Sequence, residues 1–459
     1  MSVFSLSNLK KTWYYLQKNG IRNAVWAVLE RIWQEQEVYT WQEPDEKTLS
    51  FQREHSASLR ISIVVPAYRT KKEHLEAMLN SVSKQSYPHW ELIVADAGGT
   101  AESVQVWAKK NGICLRKAAD TSNLAEWKDQ SIMLCTLSEN KGISANTNAG
   151  IELAAGDAVG LLDHDDLLTA NALWEMADCL EKEKKRGKQK LVLFSDEDKC
   201  DGAASRFYEP NFKPDFDGEL LLTNNYICHF TVIETAFLKE LKLRSGFDGA
   251  QDYDLMLRAY AAGGQFVHVP KVLYHWRCHE ASTASNPRSK RYAYEAGQRA
   301  LEDYCLRKGW KATVSGLKHL GFYREDYEDS VFCQRPEIGI WAKPLPGGRD
   351  VFGIRHPKGF LVSGLYENDG SMRYAGLRKG YSGPMHRAAL QQSAPAADLR
   401  SMEVCSALKE RYAQTIAELK EACQGLPTAA QEKKILQKSM EFCKEATAAG
   451  YGILWDPQA

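Results

Sequence analysis

From residue 59 onward the chain alternates short apolar runs with longer amphipathic stretches. Ile61-Ser62-Ile63-Val64-Val65-Pro66 is β-branched and stops at a proline, the pattern of a strand. Leu75, Met78, Leu79 and Val82 recur at helical spacing. Leu92-Ile93-Val94-Ala95 predicts a second strand ending at Asp96, and a helix follows near Glu102 to Lys109. Ile113-Cys114-Leu115 and Ile132-Met133-Leu134-Cys135 are further strands, separated by a polar insertion around Ala119 to Gln130. Ser144 to Ala154 reads as a helix, Ala158 to Leu162 as a strand, and Leu191-Val192-Leu193-Phe194 as another strand. This alternation predicts an α/β domain, with a mostly parallel, Rossmann-like sheet and helices on both faces.

The flanks read differently. In residues 1–58, Leu6, Leu9, Trp13 and Leu16 have helical spacing, Gly20 interrupts, and Ile21, Val25, Val28, Leu29 and Ile32 resume it. Lys10, Lys11, Lys18, Arg22 and Arg31 are interleaved with them. Two readings stay open: helices packed on the next domain, or an amphipathic segment lying on a membrane surface. Gln42 to Ser58 is polar, contains Pro44 and reads as a linker. The predicted organisation is a helical extension and linker (1–58), the α/β domain (59–330) and a C-terminal region (331–459). In the last, Leu408, Ile416, Leu419 and Leu436 need a partner surface, either the α/β domain or a second copy of the chain in a homo-oligomer.

Composition narrows the class. Across 459 residues the formal net charge is zero, so no global basic field points to nucleic acid. Eleven cysteines without a Cys-x-x-Cys pair read as reduced thiols in a cytoplasmic protein. No secretory signal reads at Met1-Ser2-Val3-Phe4, and no apolar run is long enough to span a bilayer. The expectation is a cytoplasmic protein, at most peripheral at the membrane.

The chemistry concentrates where strands end. Gly160-Leu161-Leu162-Asp163-His164-Asp165-Asp166 is an apolar segment closing in three carboxylates. Asp-x-Asp at that place suits a hard divalent cation, which takes oxygen ligands. Capping of the next helix is the competing structural use. Asp96, Asp163 and Asp196 all end predicted strands, and clustered carboxylates repel unless a cation or ligand compensates. Where a dinucleotide fold would carry Gly-x-Gly-x-x-Gly, the chain has Pro66-Ala67-Tyr68-Arg69, and no Walker A pattern occurs.

In these ordered motifs the chain resembles family 2 glycosyltransferases of the GT-A fold, over roughly Ile61 to Ala284. The resemblance implies that Pro66, Ala67 and Tyr68 open the nucleotide pocket and that Asp96 contacts base or ribose. Asp96-Ala97-Gly98-Gly99 stands where the family often has Asp-Asp-Gly-Ser. Asn140, Gly142 and Asn146 match the segment lining the donor diphosphate. Asp163 and Asp165 match the metal motif, with Asp163 also on the donor. Gln251-Asp252-Tyr253-Asp254 matches the Glu-Asp motif, which makes Asp252 the catalytic base; its other reading is a helix N-cap. A late histidine often completes the metal shell in these enzymes; His275 is the first choice and His279 the alternative, and a site with imidazole suits Mn2+ better than Mg2+. Arg277 is placed to pair with the diphosphate. Asp196, Glu197, Asp198 and Gln251 fall on the acceptor side.

Asp196-Glu197-Asp198-Lys199, Phe212-Lys213-Pro214-Asp215 and Asn224-Asn225-Tyr226 resemble a subgroup that includes bacterial O-antigen and cell-wall rhamnosyltransferases. The implied reaction is inverting, metal-dependent hexosyl transfer from dTDP-rhamnose or a UDP-hexose to a lipid-linked glycan acceptor, at the inner face of the plasma membrane. A catalytically impaired sugar-nucleotide-binding scaffold is the alternative. A sugar-nucleotide pyrophosphorylase would need a glycine-rich basic loop after the first strand, which Pro66-Ala67-Tyr68-Arg69 is not. In the C-terminal region, Ala448-Ala449-Gly450 to Pro457 has the register of Ala261-Ala262-Gly263 to Pro270, and Gly364 to Gly376 resembles part of the second module of tandem family members. Residues 331–459 are therefore expected to be a truncated, non-catalytic second module.

Overall fold

The computed structural model describes residues 39–120, 127–278, 291–316, 321–328, 330–342, 364–365, 402–422, 442, 445–446 and 448–455. The chain forms two compact units: Val38–Phe216 with Ile227–Ala300, and Asp217–Tyr226 with Leu301–Ala459 and Met1–Glu37. The proposed extension up to residue 38, and His279, lie outside the described residues. Among the described residues, no helix is long and apolar enough to cross a membrane.

The first unit opens with a helix, α1 (Glu46–Glu54), where a linker was expected. Asp45 caps it by accepting a hydrogen bond from Thr48 N–H at 2.7 Å. Gln52 on this helix is buried and bonds Ser86 and Glu175. A polar surface helix fixed by one buried glutamine leaves little apolar periodicity to read. Then follow β1 (Ile61–Ala67), α2 (Lys72–Ser83), β2 (Trp90–Asp96), α3 (Ala101–Asn111), β3 (Cys114–Lys117), β4 (Ser131–Thr136), α4 (Ile143–Leu153) and β5 (Ala158–Leu161). Next come β6 (Leu167–Leu168), α5 (Ala172–Lys185), β7 (Leu191–Cys200), β8 (Phe207–Asn211), β9 (Thr231–Glu234), α6 (Thr235–Leu241), α7 (Gln251–Ala261), β10 (Gln265–Arg277) and α8 (Arg291–Lys308).

One ten-stranded sheet runs β3-β4-β2-β1-β5-β9-β7-β10-β6, with β8 beside β7. From β3 to β5 every pairing is parallel. Beyond β5 the sheet is mixed: β9 is antiparallel to both β5 and β7, whereas β7 and β10 are parallel. β5 and β7 therefore run in the same direction, and their C-terminal ends open on one edge of the sheet. β1 and β2 are buried along their whole length, as strands covered on both faces must be. Their side chains join α2, α3 and α5 in one core that includes Ile63, Val65, Leu79, Trp90, Val104 and Met176. Gly160 on β5 has a reason to lack a side chain: a Cβ there would lie 2.8 Å from the Phe230 ring. Phe230 thus packs against the sheet and fixes the segment before β9.

The second unit begins thirty residues earlier than residue 331, inside α8, and also claims residues 217–226. A buried two-pronged ion pair joins Arg335 to Glu219, with Glu219 Oε2 at 2.7 Å from Nη1. This contact shows why the 217–226 helical turn belongs with residues 301–459. In this unit the strand Met402–Val404 is antiparallel to Ile338–Ala342, which is parallel to Gly452–Trp455. That is the spatial order, direction and chain order of β9, β7 and β10. Gly450 (φ 88°) precedes the last strand as Gly263 (φ 77°) precedes β10.

Candidate active site

Asp163 and Asp166 converge because the chain turns between them. Asp166 N–H bonds the Asp163 carbonyl at 3.3 Å, so positions i and i+3 come together. His229, in the segment between β8 and β9, joins them. Its Nε2 lies 3.9 Å from Asp163 Oδ2. Among the described residues, ligand atoms of Asp163, Asp166 and His229 lie within 4.8 Å of one another. Two carboxylates and one imidazole are a donor set that suits manganese or magnesium, so the residues present fit a divalent cation.

This differs from the expected set. Asp165 occupies the middle of the turn, outside the group, for the same reason that Asp166 is inside it. His275 is displaced by strand alternation. In the pairing of β10 with β7, Tyr274 lies opposite Glu197 and His275 opposite Asp198. Adjacent strand residues point to opposite faces. Tyr274 stacks on His229 at 4.8 Å, while His275 Nδ1 bonds Asp198 at 2.5 Å and its ring meets Trp41 and Phe207.

Asp166 is buried and braced. Tyr274 O–H donates to Oδ2 at 2.6 Å, and Arg277 N–H donates to Oδ1 at 2.7 Å. Burial and the neighbouring Asp165 and Asp163 push its carboxyl well above the usual range. Desolvation also raises Asp163; His229 offsets part of the effect, and Asp165 and Asp252 add to it. Asp252, in the first turn of α7, is thus in the electrostatic neighbourhood of the group, and it also acts on the Cys228 thiol, which burial pushes up to about 12. Burial opposes charge on His229, but its contacts with Cys228 and with Glu197 outweigh that and lift the imidazole well above its usual range.

The remaining expected residues divide. Pro66 and Ala67 end β1, and Tyr68 follows, 38 % exposed, with Arg69 over its ring. Asp96 is 2 % exposed; Oδ1 accepts from Gly98 and Thr100 N–H and Oδ2 from Ala101 N–H. Its carboxylate caps α3, which corrects the expectation of a group presented to base or ribose. Asn140 accepts from Gly142 N–H and from Asn146 Nδ2, closing the turn into α4. Gly142 has φ 96°, and a Cβ there would collide with Asp248 Oδ2. Asp248 Oδ1 accepts from Ser144 N–H at 3.3 Å, so a carboxylate from the loop before α7 already stands at the α4 N-terminus.

Arg277 is buried, with Nε on the Asp165 carbonyl and Nη1 on the Gly202 carbonyl. It ties the acidic turn to β10 through backbone carbonyls, while its Nη2 is buried without a hydrogen-bond partner among the described residues. Gln251 turns back to accept from Gly249 N–H. Asp196 bonds Lys213 N–H and His268, and Asp198 bonds His275 and Tyr39, so both face away from Glu197, which reaches His229. The predicted acceptor-side trio is therefore split by the pleat, leaving Glu197 at the site. Sequence reading missed Asp166 and His229. Asp166 was visible as the last acid of its run, whereas nothing local marks His229.

Residues 62–241 match the family described as Glycosyl transferase family 2. The uncharacterized protein y4gI of Sinorhizobium fredii is 37% identical over 255 residues, which cover 55% of this chain and 26% of that protein. The O-antigen biosynthesis protein RfbC of Myxococcus xanthus is 34% identical over 256 residues, covering 56% of this chain and 19% of that protein. The chain thus spans about a quarter or less of the length of these relatives. The crystal structure of S. aureus TarS 1-349 in complex with UDP aligns over 54% of this chain and 66% of that one, at 19% identity and a TM-score of 0.39. What matches glycosyl transferase family 2 is thus the region 62–241, which carries most of the mostly parallel sheet and the acids gathered at its edge.

Proposed function

We propose that the first unit transfers a hexosyl group, with inversion, from a nucleoside-diphosphate sugar to a growing bacterial surface polysaccharide. The single observation that carries the reading is the convergence of Asp163, Asp166 and His229 with Asp252 acting on the same group. A divalent cation held by Asp163, Asp166 and His229 would supply Lewis acidity toward the leaving diphosphate. Pro66, Ala67 and Tyr68 would line the nucleotide pocket, with Asp96 shaping its floor by capping α3. Asn140, Gly142 and Asn146 would border the diphosphate. Asp252 would take the acceptor hydroxyl's proton as that oxygen attacks the anomeric carbon from the face opposite the leaving group.

The name of the Myxococcus relative supports a glycan acceptor, and a lipid-linked one at the inner face of the plasma membrane fits that setting. dTDP-rhamnose and UDP-hexoses are the donor classes to try, with manganese before magnesium because imidazole is in the donor set. Residues 301–459 would act as the non-catalytic second module. A sugar-nucleotide-binding scaffold is the second reading; the inward turn of Gln251 and the buried state of Arg277 favour it. Metal-dependent hydrolysis of donor in the absence of acceptor decides between them. The enzyme releases nucleoside diphosphate, and the scaffold binds donor and leaves it intact.

A further inference from the structure

Lys213 is fully buried, its side-chain nitrogen included. Its Nζ donates to the carbonyls of Ile227 (3.2 Å), Cys228 (2.6 Å) and His229, three successive residues. It also lies 3.6 Å from Glu197 Oε2. Burying an ammonium is expensive unless its charge and donors are met, and here every partner belongs to the segment carrying His229 or to Glu197. His229 itself has φ 55°, a region that a non-glycine residue occupies only when its surroundings hold it there.

Glu197 completes the arrangement. Strand alternation turns it to the face opposite Asp196 and Asp198. Oε1 accepts from Asn211 Nδ2 at 3.2 Å, and Oε2 lies 3.2 Å from His229 Nδ1. The ring thus has two different sides, Nδ1 toward Glu197 and Nε2 toward Asp163, with Tyr274 stacked against its plane and Cys228 Sγ 3.2–3.4 Å from both nitrogens.

We propose that Glu197, anchored by Lys213 and Asn211, is a positioning residue. Its carboxylate accepts the hydrogen bond from His229 Nδ1–H and thereby leaves Nε2 as the nitrogen that faces Asp163. Lys213 does a second task by gathering the three carbonyls, which holds the His229 backbone while Glu197 holds the ring. This rests on the reading of Asp163, Asp166 and His229 as the group that holds the cation. Outer partners of this kind set the tautomer and orientation of a ligating imidazole.

The test is Mn2+ binding to the full chain in the presence of UDP, followed by the electron paramagnetic resonance signal of unbound Mn2+. Glu197→Ala should weaken Mn2+ by about 10–100-fold, the range for loss of such a partner. Glu197→Gln, whose side-chain carbonyl still accepts from Nδ1–H, should recover most of that loss. A merely structural role would not separate the two variants at equal thermal stability. If Glu197→Ala binds Mn2+ like wild type while Asp163→Asn loses it, the positioning role is wrong and the cation reading stands. If wild type binds no Mn2+, the cation reading fails and takes the proposal with it. Should Glu197→Ala not fold, nitrogen-15 spectra of labelled histidine in the wild-type Zn2+ complex decide. Nδ1–H with Nε2 ligated supports the proposal, and Nδ1 ligated overturns it.

Discussion

Asp163–Asp166 and Asp196–Asp198 have nearly the same chemistry, and both follow an apolar strand run. The chain turns at the first and continues as strand through the second. In the turn, Asp163 and Asp166 meet each other and His229. In the strand, the pleat sends Asp196 to His268 and Lys213 N–H, Asp198 to His275 and Tyr39, and only Glu197 toward His229. The conformation of the backbone, not the count of acids, decides which carboxylates share a site.

The comparison can be sharpened first at Asp252, which acts on the turn run. Asp252→Asn should lower transfer to acceptor by about 10²–10⁴-fold, the usual weight of a general base, with donor binding little changed. Steady-state kinetics with a verified acceptor check this, and unchanged turnover removes Asp252 from the mechanism. Next, Asp163→Asn should weaken Mn2+-dependent UDP binding by at least the ~10–100-fold that an outer partner is worth, whereas Asp165→Asn should do little. Calorimetry of both variants would break the comparison if Asp165 proved the more damaging.

The strand run should respond in stability instead. Asp196→Asn weakens the Asp196 contact with His268, at a cost of about 1–3 kcal/mol for a disturbed buried polar group, while Mn2+ binding stays near wild type. Urea unfolding beside a Mn2+ titration measures both. The smallest effect is expected at Gly142→Ala. The positive φ and the collision with Asp248 should cost about 1 kcal/mol or somewhat more. A melting temperature equal to wild type would mean that the turn before α4 gives way without strain.

Much of this was legible in the chain. β1, β2, β5 and the helices between them follow from apolar periodicity because they build a core with one repeating pattern. The acids at the strand ends were equally visible. Their partners were not. His229 reaches Asp163 only because β9 runs antiparallel between β5 and β7, and no local pattern announces that crossing. His275 was preferred from its motif, but register with Asp198 sends it to the other face. Asp96 looked like a ligand because a capping aspartate and a binding aspartate share the same position at a strand end. The helix α1 was hidden because one buried glutamine, not an apolar stripe, fixes it.

The central claim is that His229, not His275, completes the group with Asp163 and Asp166. The most direct measurement is a Mn2+ titration, in the presence of UDP, of His229→Ala and His275→Ala. His229→Ala should lose Mn2+ affinity and His275→Ala should keep it, with any loss confined to thermal stability. Retained Mn2+ binding in His229→Ala together with its loss in a folded His275→Ala would contradict it.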